Sequence, residues 1–332
     1  METRKLGRSG IEVSALALGC WAMGGGPGWG DQDEALSIAT VHAALDRGIN
    51  FFDTAEGYGN GRSEEVLGKA LVGRREEAIV ATKISPNHAA PPDVRPTLEA
   101  SLRRLRTDVV DLYIIHWPVT AHPVADTLAV LQDLKAEGKI RAIGLSNHGP
   151  QQLAEAFESG VQIDANQVCL NVLSRAVEME VLPLCRQHQV SVTAYMPLFQ
   201  GILADKYRTP GEVPPFRART RHFRGDRPRA RHGGAGLEAE TFAALDAIRA
   251  IAAELGQPMA NVALAWAMAR QGVASVLAGA RTPQQVERNV RAAALPLLPE
   301  VIARLDQVTG DLKRTLGPNI DYWQGSEGSR SR

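Results

Sequence analysis

The sequence predicts a (β/α)8 barrel in a single domain spanning residues 1–332. Eight short β-rich runs recur along the chain, and several are nearly continuous apolar stretches, as strands buried on both faces of a parallel sheet are. Apolar residues at helical spacing occupy the intervals between them. The length also suits one α/β barrel, a fold whose domains exceed the usual size.

The elements follow in order. LeuGly at 6–7 and SerGly at 9–10 predict a small hairpin closing the barrel floor, ahead of the first barrel strand at 14–20 (SALALGC). The glycine-rich GGGPGWG (24–30) lacks the G-x-G-x-x-G spacing and leads into no obvious helix, so it is read as a flexible rim loop. Ile38, Val41 and Leu45 share a helical face, and Gly48 stops that helix. Strands at 49–55 (INFFDTA), 78–84 (AIVATKI) and 109–116 (VVDLYIIH) follow, with Leu98, Leu102 and Leu105 along a helix before the third. Gly138 marks the next helix stop before the strand at 140–146 (IRAIGLS). Runs at 161–168 (VQIDANQV), 191–197 (SVTAYMP) and 274–280 (ASVLAGA) complete the eight, with Val262, Trp266 and Ala269 on a helical face before the last. The barrel core is therefore expected over about 14–310. Two segments break the alternation: a long basic loop at 204–238, rich in Arg, Pro and Gly, and a tail at 325–332 with the composition of disordered chain.

Composition excludes several function classes. With 37 basic and 37 acidic side chains the formal net charge is zero, which argues against a general nucleic-acid binder. No apolar run reaches the ~18 residues of a membrane span, and METRKLGRSG carries no apolar signal core. Cys20, Cys169 and Cys185 are odd in number and widely spaced. They suit neither a disulfide framework nor a metal site, so the expected home is the reducing cytoplasm.

Four segments end a strand on a different polar residue: FFDTAEGY (51–58), IVATK (79–83), DLYIIH (111–116) and IGLSN (143–147). They deliver Asp53, Tyr58, Lys83, His116, Ser146 and Asn147, and Gln167 and Tyr195 also fall at or near strand ends. In a barrel those ends converge on one face. Each residue has an ordinary reading alone: Asp53 capping a turn before Thr54, Tyr58 as an exposed loop aromatic between glycines, His116 as a satisfied core histidine. Lys83 resists one, because a buried lysine is rare without a partner.

Together the four suit reversible carbonyl–alcohol interconversion. Hydride transfer to a carbonyl leaves negative charge on oxygen, which needs a proton donor and electrostatic support. A free tyrosine, with a pKa of about 10, is poorly matched to that task, and a neighbouring ammonium lowers its pKa. Lys83 is placed to be that ammonium, with Asp53 holding it charged. A neutral His116 offers an N–H to the substrate oxygen.

These segments are similar to the aldo-keto reductase superfamily. The resemblance covers roughly residues 3–323 and rests most on INFFDTAEGYGNGRSEEVLGKAL (49–71), LYIIHWP (112–118) and GKIRAIGLSN (138–147), with YMPLFQGILADKY (195–207) and GARTPQQVERN (279–289) completing it. The first resembles the bacterial branch near inositol-utilisation and general stress reductases. The resemblance implies Tyr58 as acid/base with Asp53, Lys83 and His116 as partners. It implies that Ser146, Asn147 and Gln167 hold the nicotinamide carboxamide and that Tyr195 stacks on the ring. Backbone around Pro197, Leu198 and Gly201 then meets the pyrophosphate, and Gly279, Ala280, Arg281 and Thr282 meet the adenosine ribose and its 2′-phosphate, with Gln285 and Asn289 on the helix that follows. Gln285 stands where many NADPH-preferring members carry a second Arg, and Arg288 where an acidic adenine contact is common. NADP(H) is the expected cofactor, with NAD(H) kept open.

Trp21, Trp117 and Trp29 are read as substrate-pocket walls. Phe199 replaces a residue often small, and His148 one often aromatic, so either narrows or polarises the pocket; His148 reads first as a packing substitution. Residues 205–232 hold nine Lys or Arg against three acids, a local excess of six, without helical spacing or interleaved aromatics. A loop clasping the cofactor's phosphates fits this better than a nucleic-acid or membrane patch. The partner is thus a small-molecule carbonyl or alcohol. The competing function class is a regulatory subunit resembling potassium-channel β subunits, with the cofactor as redox sensor.

Overall fold

The computed structural model describes residues 1–26 and 28–332. Pro27, inside the stretch read as a flexible rim loop, lies outside the described residues.

The chain opens with an antiparallel hairpin, β1 (Thr3–Lys5) and β2 (Glu12–Ser14), with Thr3 opposite Ser14. Its turn buries Leu6 and Ile11, while Val13 on β2 is buried as well. Eight parallel strands then alternate with helices: β3 (Leu16–Gly19), α1 (Glu34–Asp46), β4 (Phe51–Asp53), α2 (Arg62–Ala70), β5 (Ile79–Ile84), α3 (Pro91–Leu105), β6 (Val110–Ile115), α4 (Val124–Ala136), β7 (Ile140–Ser146), α5 (Pro150–Glu158), β8 (Ala165–Cys169), α6 (Val181–Gln187), β9 (Ser191–Tyr195), α7 (Glu238–Glu254), α8 (Met259–Met268) and β10 (Val273–Gly279). Helices α9 (Pro283–Ala293), α10 (Pro299–Val308) and α11 (Gly310–Leu316) follow. The strands close in chain order, with β10 pairing β3. All eight expected barrel strands form, although the run at 161–168 enters the sheet only at Ala165.

The period-2 alternation of a strand explains where the site lies. Ala17, Phe51, Ala81, Leu112, Ile114, Ala142 and Ala165 pack with Leu6, Ile11 and Val13 into an apolar plug filling the lower barrel. Two residues further along, the same side of the sheet carries Asp53 after Phe51, Lys83 after Ala81, His116 after Ile114 and Gln167 after Ala165. The layer above the plug is therefore polar. Leu16, Leu18 and Phe52, on the opposite side, join the larger core beneath the helices.

Two expectations need correcting. Helix α8 shows no single apolar face: Val262 through Met268 are all buried, while Ala269 is exposed beyond its end, because α7, α9, β10 and the loop after β9 cover it. The tail is also held in place. Arg330 forms a two-point ion pair with the fully buried Asp321 (2.8 and 2.9 Å). The carbonyl of Arg332 accepts the free N–H groups of Gln151 and Gln152 at the start of α5 (3.0 and 3.3 Å). Polar composition suggested disorder, but here it satisfies a helix terminus.

Candidate active site

The loop after β4 is locked from below. Ser63 Oγ donates to the Cys20 carbonyl and accepts from Thr54 Oγ1, both at 2.8 Å. Glu64, fully buried, accepts from Thr82 Oγ1 (2.5 Å) and Arg104 Nε (2.6 Å), anchoring α2. Gly24 and Gly59 let the loop after β3 press against Tyr58: a methyl at Gly24 would lie 2.7 Å from the Tyr58 carbonyl carbon, and one at Gly59, 2.2 Å from the Gly24 oxygen.

At the centre stands Lys83, fully buried, whose three ammonium protons meet three acceptors. Nζ lies 2.7 Å from Asp53 Oδ1, 2.8 Å from the Thr54 carbonyl and 3.3 Å from Tyr58 Oη. Burial pushes the Lys83 pKa down, but Asp53 and then Tyr58 more than offset it, so the ammonium is held above its ordinary value. For Tyr58 burial pushes up and Lys83 pulls down, as its charge should, yet burial prevails and the phenol stays above its ordinary value. At neutral pH both groups are protonated. His116 is the opposite case: burial, then the Lys83 charge, depresses it to about 3, so the ring is neutral. Its ring meets Tyr58 edge to face at 5.8 Å.

The surrounding amides are engaged as well. Gln167 Nε2 donates to the second Asp53 oxygen (2.8 Å), and that carboxylate can only accept. Asn147, in left-handed backbone (φ 61°), donates to the His116 carbonyl (3.1 Å) and Ser146 Oγ (2.9 Å) and accepts from Tyr195 Oη (2.7 Å). Ser146 Oγ donates to the Gln167 carbonyl (2.9 Å). Asp53, Lys83, His116, Asn147, Gln167 and Tyr195 thus form one connected group around Tyr58.

Trp21 stacks on Tyr58 (5.7 Å, 27°) and meets Trp29 edge-on (5.4 Å); Trp21 is 36% exposed, so the site opens there. Trp117 faces a residue the sequence did not flag, Trp323, edge-on at 6.0 Å, and Trp323 also lies against Tyr195 (6.3 Å, 18°). The Arg330 guanidinium sits 3.5 Å from the Trp117 ring centre. No periodicity points to Trp323, an aromatic in an irregular segment. Phe199 does not narrow the pocket: it packs against His222 (4.6 Å) and Phe223 in the long loop. His148 is buried against the Ser146 carbonyl (3.0 Å), depressed to about 4 by burial, as a packing residue is.

Two outlying places suit anions. After Pro197 and Leu198, residues 199–201 take positive φ in succession, and a methyl at Gly201 would meet Arg217 Nη1 at 3.1 Å and Lys206 Cδ at 4.0 Å. Neither cation was singled out in the sequence, though the basic density of their segment was the signal. After the adjacent strand β10, Thr282 caps α9, accepting from the Gln285 N–H (3.3 Å), and Asn289 Nδ2 donates to the Gly279 carbonyl (3.3 Å). Arg281 is held by Gln32 Oε1 (2.6 Å) and the Asp31 carbonyl (2.9 Å), and Gln285 Oε1 accepts its backbone N–H (2.8 Å). Amides and an aromatic ring at the centre, with cations and a helix N-terminus outside them, make a donor set that fits a dinucleotide. No cluster of metal-binding side chains occurs among the described residues, and the three cysteines are free and buried.

The Aldo/keto reductase family model matches residues 15–309. The chain is 35% identical to the NADH-specific methylglyoxal reductase of Escherichia coli K12, over 90% of this chain and 95% of that protein. It is 33% identical to a probable voltage-gated potassium channel subunit beta of rice, over 93% and 96%. Among solved structures, an aldo-keto reductase from Klebsiella pneumoniae in complex with NADPH matches with a TM-score of 0.73 and 28% identity, covering 100% of this chain and 99% of that one.

Proposed function

The chain belongs to the aldo/keto reductase family, oxidoreductases acting on carbonyl groups, and from that premise we propose that it reduces small aldehydes and 2-oxoaldehydes with NADPH, using Tyr58 as general acid. The observation that carries the reading is the buried Lys83, held between Asp53 and Tyr58 beside a neutral His116. Reduced nicotinamide supplies the hydride when bound. Ser146, Asn147, Gln167 and Tyr195 would hold its ring end, and Gly201, Arg281 and Thr282 its phosphates. His116 donates a ring N–H to the substrate oxygen and fixes its pose. As the carbon–hydrogen bond forms, Tyr58 Oη passes its proton to that oxygen. The resulting phenolate is stabilised by the Lys83 ammonium at 3.3 Å, whose charge Asp53 secures. In the reverse direction the phenolate takes the alcohol proton.

Methylglyoxal reduction by the bacterial relative supports the 2-oxoaldehyde class, while its NADH specificity keeps NADH in view. The free, buried cysteines support a reducing cytosolic home, and no helix among the described residues is long and apolar enough to cross a membrane. A second reading, a regulatory subunit using the cofactor as sensor, draws on the likeness to the channel subunit. An NADPH- and NADH-linked screen of aldehydes, ketones, sugars and polyols, run in both directions, tests the proposal. Steady turnover of methylglyoxal or a simple aldehyde supports the enzyme; cofactor binding with no turnover of any of them supports the regulatory subunit.

A further inference from the structure

The pairing of β4 with β5 does not stop at Asp53. Along β5 the backbone N–H groups that face β4 step by two residues, starting with Ile79, which donates to the Asn50 carbonyl (2.6 Å). In return Thr54 donates to the Ala81 carbonyl (2.9 Å), and Glu56 to the Lys83 carbonyl at a stretched 3.5 Å. The same two-residue step brings the Ser85 N–H to face Glu56. That rung is made, but by a side chain: the Ser85 N–H donates to Glu56 Oε1 (2.8 Å), where a regular ladder would use the Glu56 carbonyl. The Glu56 side chain is nearly buried, and the same oxygen meets His88 Nδ1 at 2.9 Å. A carboxylate only accepts, so the exposed His88 ring carries its proton on that nitrogen.

This exchange frees the Glu56 backbone to leave the sheet. The Tyr58 N–H donates to the Ala55 carbonyl (3.0 Å), closing a turn with Glu56 inside it, and the Tyr58 carbonyl accepts the Ser63 N–H (3.2 Å) from α2. One carboxylate thus ties the turn that launches Tyr58 to the end of β5, two residues beyond Lys83. Tyr58 Oη and Lys83 Nζ stand 3.3 Å apart, already a long contact. A further displacement of about 1 Å would take the pair out of hydrogen-bond range.

We propose that Glu56 is a positioning residue, its carboxylate serving as the last rung between β4 and β5 and so setting the Tyr58–Lys83 separation. It acts through Tyr58, and the proposal rests on the reading of Tyr58 as the proton donor. The rung needs an acceptor rather than a charge. Glu56→Gln keeps a carbonyl oxygen for the Ser85 N–H, whereas Glu56→Ala leaves that donor without one.

The test compares wild type, Glu56→Gln, Glu56→Ala and Ser85→Pro, with thermal melts to confirm folding. Ser85 lies at φ −71°, within the proline range, so Ser85→Pro removes the donor without bending the chain. Glu56→Ala and Ser85→Pro should each lower kcat by ~10- to 100-fold, the scale of an ångström-sized misplacement, with cofactor affinity within a few-fold of wild type. Glu56→Gln should recover most of that loss. In both rung-breaking variants the alkaline limb of alcohol oxidation should move to higher pH, as Tyr58 loses the ammonium; loss of the Glu56 charge alone would move it lower. Amide exchange over residues 54–60 should quicken in the same two variants. A kcat within a few-fold of wild type in folded Glu56→Ala, a limb that stays or moves lower there, or Glu56→Gln as impaired as Glu56→Ala overturns the rung. If Glu56→Ala does not fold, Ser85→Pro is judged by the same criteria. If Tyr58→Phe proves active, the proton-donor reading fails instead. Exchange then decides on Glu56 alone: quickened exchange of the Tyr58 turn upholds the rung, and unchanged exchange removes it.

Discussion

Replacing Lys83 by methionine keeps the apolar stem and deletes the charge on which three groups converge. Asp53 Oδ1, the Thr54 carbonyl and Tyr58 Oη all lose their donor, and Asp53 keeps only Gln167. Because Lys83 is fully buried and Asp53 nearly so, this breaks a buried pair and strands a carboxylate. Such a break costs about 3–5 kcal/mol, against at most ~1 kcal/mol for an exposed pair. The second effect is on Tyr58, already held above its ordinary pKa by burial. Without the ammonium its pKa rises further, so the phenolate needed for alcohol oxidation appears only at higher pH. Denaturant unfolding at pH 7 reads the first effect, and the pH profile of alcohol oxidation reads the second. A loss below ~1 kcal/mol, together with an alkaline limb that does not move, would refute the electrostatic role assigned to Lys83.

Three further outcomes are expected. Arg281→Ala should weaken NADPH by about 10- to 150-fold while sparing NADH, the range for one charge-assisted contact, as measured by fluorescence titration; an unchanged ratio removes Arg281 from discrimination. His116 should show no titration in the rate between pH 5 and 8, because its folded pKa is about 3. The same depression sets a stability trend: the unfolded ring protonates near ~6.5 and the folded ring near 3, so this contribution is complete above ~6.5 and is lost as pH falls towards 3, visible in acid melts of wild type against His116→Gln. Trp323→Ala should open the Trp117–Tyr195 face and raise kcat/KM for bulky aldehydes relative to methylglyoxal by a few-fold, checked across a size series.

The barrel was legible because its strands obey strong local rules. Runs such as DLYIIH and IRAIGLS are too apolar to be half-exposed, and their two-residue period carries the polar residue of each run to the layer above the plug. Asp53, Lys83 and His116 were readable for the same reason, while Tyr58, in the loop after β4, was read from its segment FFDTAEGY. The rest depends on chain segments without a period. Trp323 meets Trp117 from an irregular tail in which Asp321 pairs with Arg330, a segment without a period to read. Arg217 reaches Gly201 through a loop with no repeating pattern, so only its charge density was visible. The direction of the Tyr58 shift also escaped the sequence: Lys83 as neighbour was foreseeable, but the depth of burial that outweighs it was not.

Tyr58→Phe tests the central claim most directly. The change removes one oxygen, leaves Lys83 its contacts with Asp53 and Thr54, and keeps the ring that stacks on Trp21. On the best substrate from the screen, reduction should fall by at least ~10²-fold, the low end for general acid catalysis, while NADPH affinity by fluorescence stays within a few-fold of wild type. Turnover within a few-fold of wild type, with the cofactor still bound, would contradict the account and require another proton donor.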